Sequence, residues 1–330
     1  MKKSRLTTIG FGIFGLTTLA WLVLKQDIGG VATVFSLVGL NIIWLGVYRI
    51  IPIALDGFGW GQLFAGKHRP LLKDLFLARW LAESVNTLFP VAQIGGHVLR
   101  ARIIGRQKKT GGEAGATVMV DFTLGLTTQI LFTVIGLYFL LQKTQNYGDS
   151  LSIVIGVAVA IAAIGGFFIS QRAGFFGFLA AGAGRIHVKK ASFFADGARN
   201  IDLKVNEIYN RKNNLFSCLC WRLVAWIAKS GENWLFLFFA GTPITFGEAI
   251  ILESLCTAFR SAAFFIPGGL GVQDGSLLLI GSLLGLSGEG IMALALAKRC
   301  RELMVGLPGL LWWFIHENRY QRQATADKEV

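Results

Sequence analysis

Residues 264–275 read FFIPGGLGVQDG, a helix breaker, three glycines, an amide and a carboxylate set in the middle of apolar sequence. Pro267 removes a backbone donor, and Gly268, Gly269 and Gly271 permit close approach or positive φ. In hydrocarbon each freed amide or carbonyl costs several kcal/mol, so such a break survives only inside protein or along a wet cavity. A helix restarting near Gly271 turns its first amides toward that cavity, a setting that favours an anion such as a phosphate. Gln273 and Asp274 stand in its first turn. Asp274 is either a cap-like carboxylate there or a group that answers a substrate or a proton.

A second break, NTLFPVAQIGGHVLR at 86–100, echoes the first and contributes Asn86, Pro90, Gly95, Gly96, His97 and Arg100. In both, a proline follows apolar or aromatic residues and paired glycines come next. A polar side chain then stands seven positions past the proline, His97 in one and Asp274 in the other. Broken segments at corresponding places in two halves are the sequence pointer to a transporter's binding site.

Ionisable residues inside the apolar runs extend the candidate set, since each costs about 2.5–3.5 kcal/mol on insertion scales. Glu253 and Arg260 share one helix face, as do Arg222 and Lys229, with Glu232 one turn beyond. Lys298, Arg301 and Glu302 cluster within about one turn. Asp121 lies near the start of its apolar run, within reach of Arg100 or Arg102. The bland account of all these groups is paired charge buried between helices, or side chains snorkelling to the interface. Nucleophilic chemistry has little support: Ser276 is the hydroxyl nearest the break, and no histidine lies nearby in sequence to activate it. There is no H-E-x-x-H or Walker A motif. Cys218, Cys220, Cys256 and Cys300 form no CxxC pair and read as small hydrophobes. The expectation is a protein that is not an enzyme and uses no cofactor or metal.

The elements that hold these residues are membrane helices. The chain has 330 residues, 53% hydrophobic and only 15% charged, with a mean hydropathy of +0.57. A soluble domain carries about 25% charged residues. The net charge of +13 would suit nucleic acid, but the basic residues fall mostly between apolar runs and no recognition motif accompanies them. Apolar runs at 7–24, 31–51, 115–141, 151–170, 214–240 and 249–266 are long enough to span, and 276–317 holds further segments. The start resembles a signal peptide, but no A-x-A-like site follows, so it reads as an uncleaved first helix. The run 74–96 is broken by Arg79, Glu83, Asn86 and Pro90 and reads as a re-entrant hairpin or broken helix. The fold class is all-α: a polytopic helical membrane protein of about seven to nine segments, with a two-half pseudo-repeat as its organising pattern. Residues 1–317 form one membrane domain, whose halves 1–170 and 214–317 are joined by 171–213. Residues 318–330 are a polar tail, expected to be disordered. Segments 52–73, 97–113 and 171–213 and the N-terminal tail carry nearly all the loop arginines and lysines, which places them and both termini in the cytoplasm. Within 171–213, FFADGARNIDLKVNEIY is either an amphipathic helix on the inner leaflet or a solvated linker.

PGGLGVQDG, with NTLFPVAQIGGHVLRARII upstream and a span beginning near MVDFTLGL, resembles the lysylphosphatidylglycerol synthase transmembrane-region family over most of the chain. Within it, the likeness is nearest to the hopanoid-biosynthesis-associated membrane proteins. The resemblance implies a lipid-handling protein of the bacterial inner membrane, related to the flippase half of that bifunctional enzyme. Its partners would be membrane lipids with anionic or zwitterionic headgroups, or lipid-synthesis enzymes if the chain is an accessory subunit. An enzyme acting on polyprenyl or phospholipid phosphates is the alternative. Two positions depart from the family pattern: Asp274 stands where a glutamate is usual, and His97 where an acid is usual. The aminoacyl-transfer domain of the bifunctional members is absent from this sequence, so lysyl transfer is not expected.

Overall fold

The computed structural model describes residues 28–66, 69–88, 95–108, 111–144, 191–262 and 271–329. The runs 7–24 and 151–170 and residues Pro90, Pro267, Gly268 and Gly269 lie outside them. Every regular element among the described residues is helical, as lipid demands of a chain that must satisfy its backbone within each segment.

The first described candidate membrane pass is α1 (Ile28–Val38), a 3-10 turn (Gly39–Asn41), α2 (Ile42–Tyr48) and α3 (Ile50–Gly61). It runs on through Pro52 to Gly61, so residues 52–61 are helix and not part of the basic loop expected at 52–73. Then come α4 (Leu72–Leu88), α5 (Gly95–Lys108) and α6 (Gly111–Thr144), and after them α7 (Ala191–Asn210) and α8 (Lys212–Phe239). The chain continues as α9 (Phe246–Ala262), α10 (Val272–Leu283) and α11 (Gly288–Glu329). Helix α11 reaches Glu329, so the polar tail is helical rather than irregular. Among the described residues, Ala32–Gly61 and Gly112–Lys143 are long and apolar enough to cross a membrane. Helix α8 has the length but carries Arg222, Lys229 and Glu232 in its middle.

The run 74–96 forms part of a helical hairpin. Helix α5 folds back along α4, with Gly96 against Ala82 and Asn86, and with Leu81, Val85 and Leu99 in one apolar cluster. A side chain at position 96 would strike the Ala82 carbonyl, so the close crossing needs glycine. Asn86 accepts a hydrogen bond from the Gly96 amide at 2.8 Å and clasps the turn. Helices α9 and α10 make the corresponding hairpin, closed by Arg260 and Gln273. Each hairpin is followed by a long helix, α6 or α11.

The two halves pack by exchange. Helix α3 lies on α8, α4 on α11, and α9 on α6. Swapping α3 with α8, α4 with α9, α5 with α10 and α6 with α11 maps these main contacts onto themselves. The contact of α8 with α6 stands outside this exchange, with no matching contact of α3 on α11 of comparable extent.

Two large apolar clusters hold the bundle. One gathers Trp60, Leu63, Leu75, Ile104, Val118, Ile208 and Cys218. The other gathers Leu45, Phe236, Leu252, Leu277, Ile280 and Leu294. Helix α8 belongs to both, through Cys218 near its start and Phe236 and Leu237 near its end. The charged middle of α8 therefore lies between two dry layers. Helix α7 packs its Val205, Ile208 and Tyr209 into the first cluster, so this part of 171–213 is a docked amphipathic helix.

Candidate functional site

The charges between those layers form one belt running from the first hairpin to the second. At the α5 end, Asp121 on α6 takes two arginines, Arg100 Nη1 on Oδ2 and Arg222 Nη1 on Oδ1, each at 2.5 Å. Arg100 is fully buried and lies over the Trp60 ring at 4.8 Å, a cation–π contact. Its Nη2 donates to His97 Nδ1 at 2.8 Å. Arginine has only donors, so Nδ1 accepts and the neutral ring carries its proton on Nε2. The His97 ring meets Phe122 edge-on at 5.2 Å. Gly125 makes room for Arg222, since a Cβ there would stand 2.6 Å from its Nη2.

Next along the belt, Asp56 Oδ2 accepts from Arg79 Nη2 at 3.0 Å and Lys229 Nζ at 3.1 Å. Arg49, at the seam of α2 and α3, pairs through Nε with Glu83 at 2.7 Å and through Nη1 with Glu232 at 3.3 Å. Arg301 Nε holds the other Glu232 oxygen at 2.7 Å. Glu253 Oε2 receives Lys298 Nζ at 2.8 Å and Asn233 Nδ2 at 3.1 Å.

At the α10 end, Gly271 has φ +75°, a left-handed value that suits glycine. Its amide donates to Asp274 Oδ2 at 3.0 Å, so Asp274 caps α10. The same carboxylate pairs with Arg299 Nη2 at 3.1 Å, and Arg299 Nη1 reaches Glu302 at 3.0 Å. Arg260 Nη1 donates to the neutral Gln273 Oε1 at 3.2 Å, within electrostatic range of Glu302, Arg299, Arg301 and Arg49.

His97 and Asp274 are each the third residue of the second helix of their hairpin. The link between that helix and the long helix after it is an ion pair in both halves, with signs exchanged: Arg100 to Asp121 in one, Asp274 to Arg299 in the other. Of the sequence candidates, Asn86, Gly96, His97, Arg100 and Asp121 gather at one end, next to Gly95. Arg260, Gly271, Gln273 and Asp274 gather at the other. Glu253 and Arg301 stand between. Pro90, Pro267, Gly268 and Gly269 fall outside the described residues. The two ends do not touch; Asp56, Arg79, Lys229, Glu83, Arg49 and Glu232 join them.

Two sequence expectations are corrected here. Residues 95–108 are helix α5 with Arg100 wholly buried, so this stretch is helix rather than loop, and Arg102 and Arg106 are the basic side chains it leaves exposed. Arg100 is spent on Asp121 and His97 and is no loop charge for setting orientation. Arg49 and Asp56 were missed altogether. The signal that finds them is the one that flagged Arg260, an ionisable side chain inside an apolar run, here GVYRIIPIALDGFGW.

No curated protein and no solved structure matches the chain. Residues 8–309 match the family described as lysylphosphatidylglycerol synthase TM region. With that match over most of its length, and with a helical bundle built around buried charge, the chain belongs to the lysylphosphatidylglycerol synthase TM region family of membrane proteins.

Proposed function

We propose that this protein is a flippase-like lipid translocase of the bacterial inner membrane, in which the buried belt carries a phosphate-bearing headgroup between leaflets. One observation supports this reading above the rest. The belt joins the two broken hairpins, and its described members are nine cations against seven carboxylates. The cations are Arg49, Arg79, Arg100, Arg222, Lys229, Arg260, Lys298, Arg299 and Arg301; the carboxylates are Asp56, Glu83, Asp121, Glu232, Glu253, Asp274 and Glu302. Charges in a membrane interior mark substrate paths, and an excess of cations suits an anionic group. Arg222 Nε and Asn233 Oδ1 are buried without a hydrogen bond among the described residues, which supports polar capacity to spare in the belt. Arg260 offers a cation whose hydrogen-bond partner is neutral. A lipid phosphatase is the weaker reading, since the hydroxyl of Ser276 is committed to the Gln273 carbonyl at 2.8 Å.

The test is leaflet exchange in proteoliposomes with a panel of headgroup-labelled lipids. Purified wild type is compared with Arg260→Gln, which keeps the hydrogen bond to Gln273 feasible and removes the charge. Exchange of a phosphate-bearing lipid by wild type, slowed in the folded variant, is expected. Well-folded wild type that moves none of the panel sinks the translocase reading and favours an accessory subunit.

A further inference from the structure

An apolar groove opens on the outside of the bundle where α2 and α3 meet α4 and α11. Its volume is about 350 Å³, and its walls include Gly46, Val47, Ile50, Phe76, Trp80 and Met304. That size falls at the small end of ligand sites. The polar atom of its aromatic wall is spent, since Trp80 Nε1 donates to the Val305 carbonyl at 2.9 Å. A guest in the groove therefore finds hydrocarbon contacts and no hydrogen-bond partner there. The groove is open to the side: Val47 is 46% and Ile50 49% exposed, on a stretch apolar enough to span the membrane.

Three of its walls lead directly into the belt. Arg49 precedes Ile50 in sequence, Glu83 is one position short of a helical turn from Trp80, and Arg301 is likewise three residues from Met304. Glu83 pairs with Arg49, and Arg49 and Arg301 share Glu232. An apolar channel facing lipid thus adjoins a polar site facing inward, separated by about one turn of helix. A molecule matching both parts is amphipathic, with a hydrocarbon tail attached to a charged head.

We propose that this groove seats one hydrocarbon tail of a membrane lipid while its headgroup occupies the belt near Arg49 and Arg301. The inference rests on the translocase reading and adds to it a place for the tail. The tail stays in contact with the bilayer, so only the headgroup enters the protein. Gly46 keeps the groove open. A Cβ there makes ordinary contact with Met304 Cε at 3.6 Å, and a larger side chain fills the space.

The experiment uses the full chain in liposomes of a phospholipid carrying a photoactivatable group on one acyl chain. Cross-linked sites are mapped by mass spectrometry in wild type, in Gly46→Phe, and in Leu131→Phe as a lipid-exposed control on α6. Labelling in wild type should concentrate on Val47, Phe76 and Met304 above the α6 face. It should fall in Gly46→Phe to the level of the α6 face and persist in Leu131→Phe. Equal labelling of the groove and the α6 face overturns the proposal, and needs no variant to fold. Groove-specific labelling by a wild type that moves no lipid keeps the tail site and removes the translocase reading. Lipid movement with an unlabelled groove does the reverse.

Discussion

Asp121→Asn tests whether one buried carboxylate holds two arginines. In the structure Asp121 is fully buried, as is Arg100, and Arg222 is nearly so. The variant leaves both cations facing a neutral amide. Removing one partner of a buried pair costs about 3–5 kcal/mol, and here two pairs share the lost group, so that range is the lower bracket. The whole fold is worth about 5–15 kcal/mol, so the variant should be close to unfolding. Arg222→Met differs. It leaves Arg100 and Asp121 as a one-to-one pair and puts a flexible apolar chain beside Gly125, for a loss of about 1–2 kcal/mol. Reversible unfolding in mixed micelles with rising dodecyl sulfate measures both. The expected gap of about 2 kcal/mol or more corresponds to a factor of about 30 in the folded-to-unfolded ratio. Equal losses, or an Asp121→Asn loss below about 1 kcal/mol, would refute the claim that this carboxylate neutralises two buried cations.

Gly96→Ala should cost about 1–3 kcal/mol by overpacking against the Ala82 carbonyl, whereas Gly66→Ala, with nothing within 4 Å of its new Cβ, should unfold with wild type in the same titration. Gly271→Ala must hold φ +75° with a Cβ present, at about 1–2 kcal/mol, read as a lower thermal midpoint in detergent. Glu248 lies in the first turn of α9, outside the apolar run. Burial raises its pKa, but the Lys143 and Thr245 hydrogen bonds outweigh that and leave it below the ordinary glutamate value. Its contribution is therefore present above the unfolded glutamate pKa and lost as pH falls through the depressed folded one. The wild-type midpoint should drop more than that of Glu248→Gln between neutral and strongly acidic pH, and parallel curves would remove this assignment.

The breaks were legible because proline, paired glycines and a polar residue are costly in hydrocarbon and recur at one spacing in each half. The hairpin over 74–96 was readable from such a break; the packing of one half on the other was not. The partners of the charges were mostly not legible. Lys229 finds Asp56 across 173 positions and Arg222 finds Asp121 across 101, and helical spacing along one segment carries no information about another. Asp121 with Arg100 was the exception, because α5 and α6 adjoin in sequence. Arg49 stayed hidden at the end of the run 31–51, and Asp56 because 52–73 reads as a loop. In the bundle the helix passes through Pro52, since neighbouring segments can absorb one missing amide.

The pairing of α8 also bears on how the chain enters the bilayer during synthesis. A segment with Arg222, Lys229 and Glu232 at its centre is a poor candidate for partitioning alone, at about 2.5–3.5 kcal/mol for each charge. Its counter-charges Asp121, Asp56 and Arg49 are encoded upstream, so they leave the ribosome first and can be in place when α8 arrives; Arg301, the second partner of Glu232, follows later. Glu253 and Asp274 have the opposite arrangement, because Lys298 and Arg299 come later. The first half can thus serve as the template on which the second is inserted, and the second half is neutralised only when α11 is made.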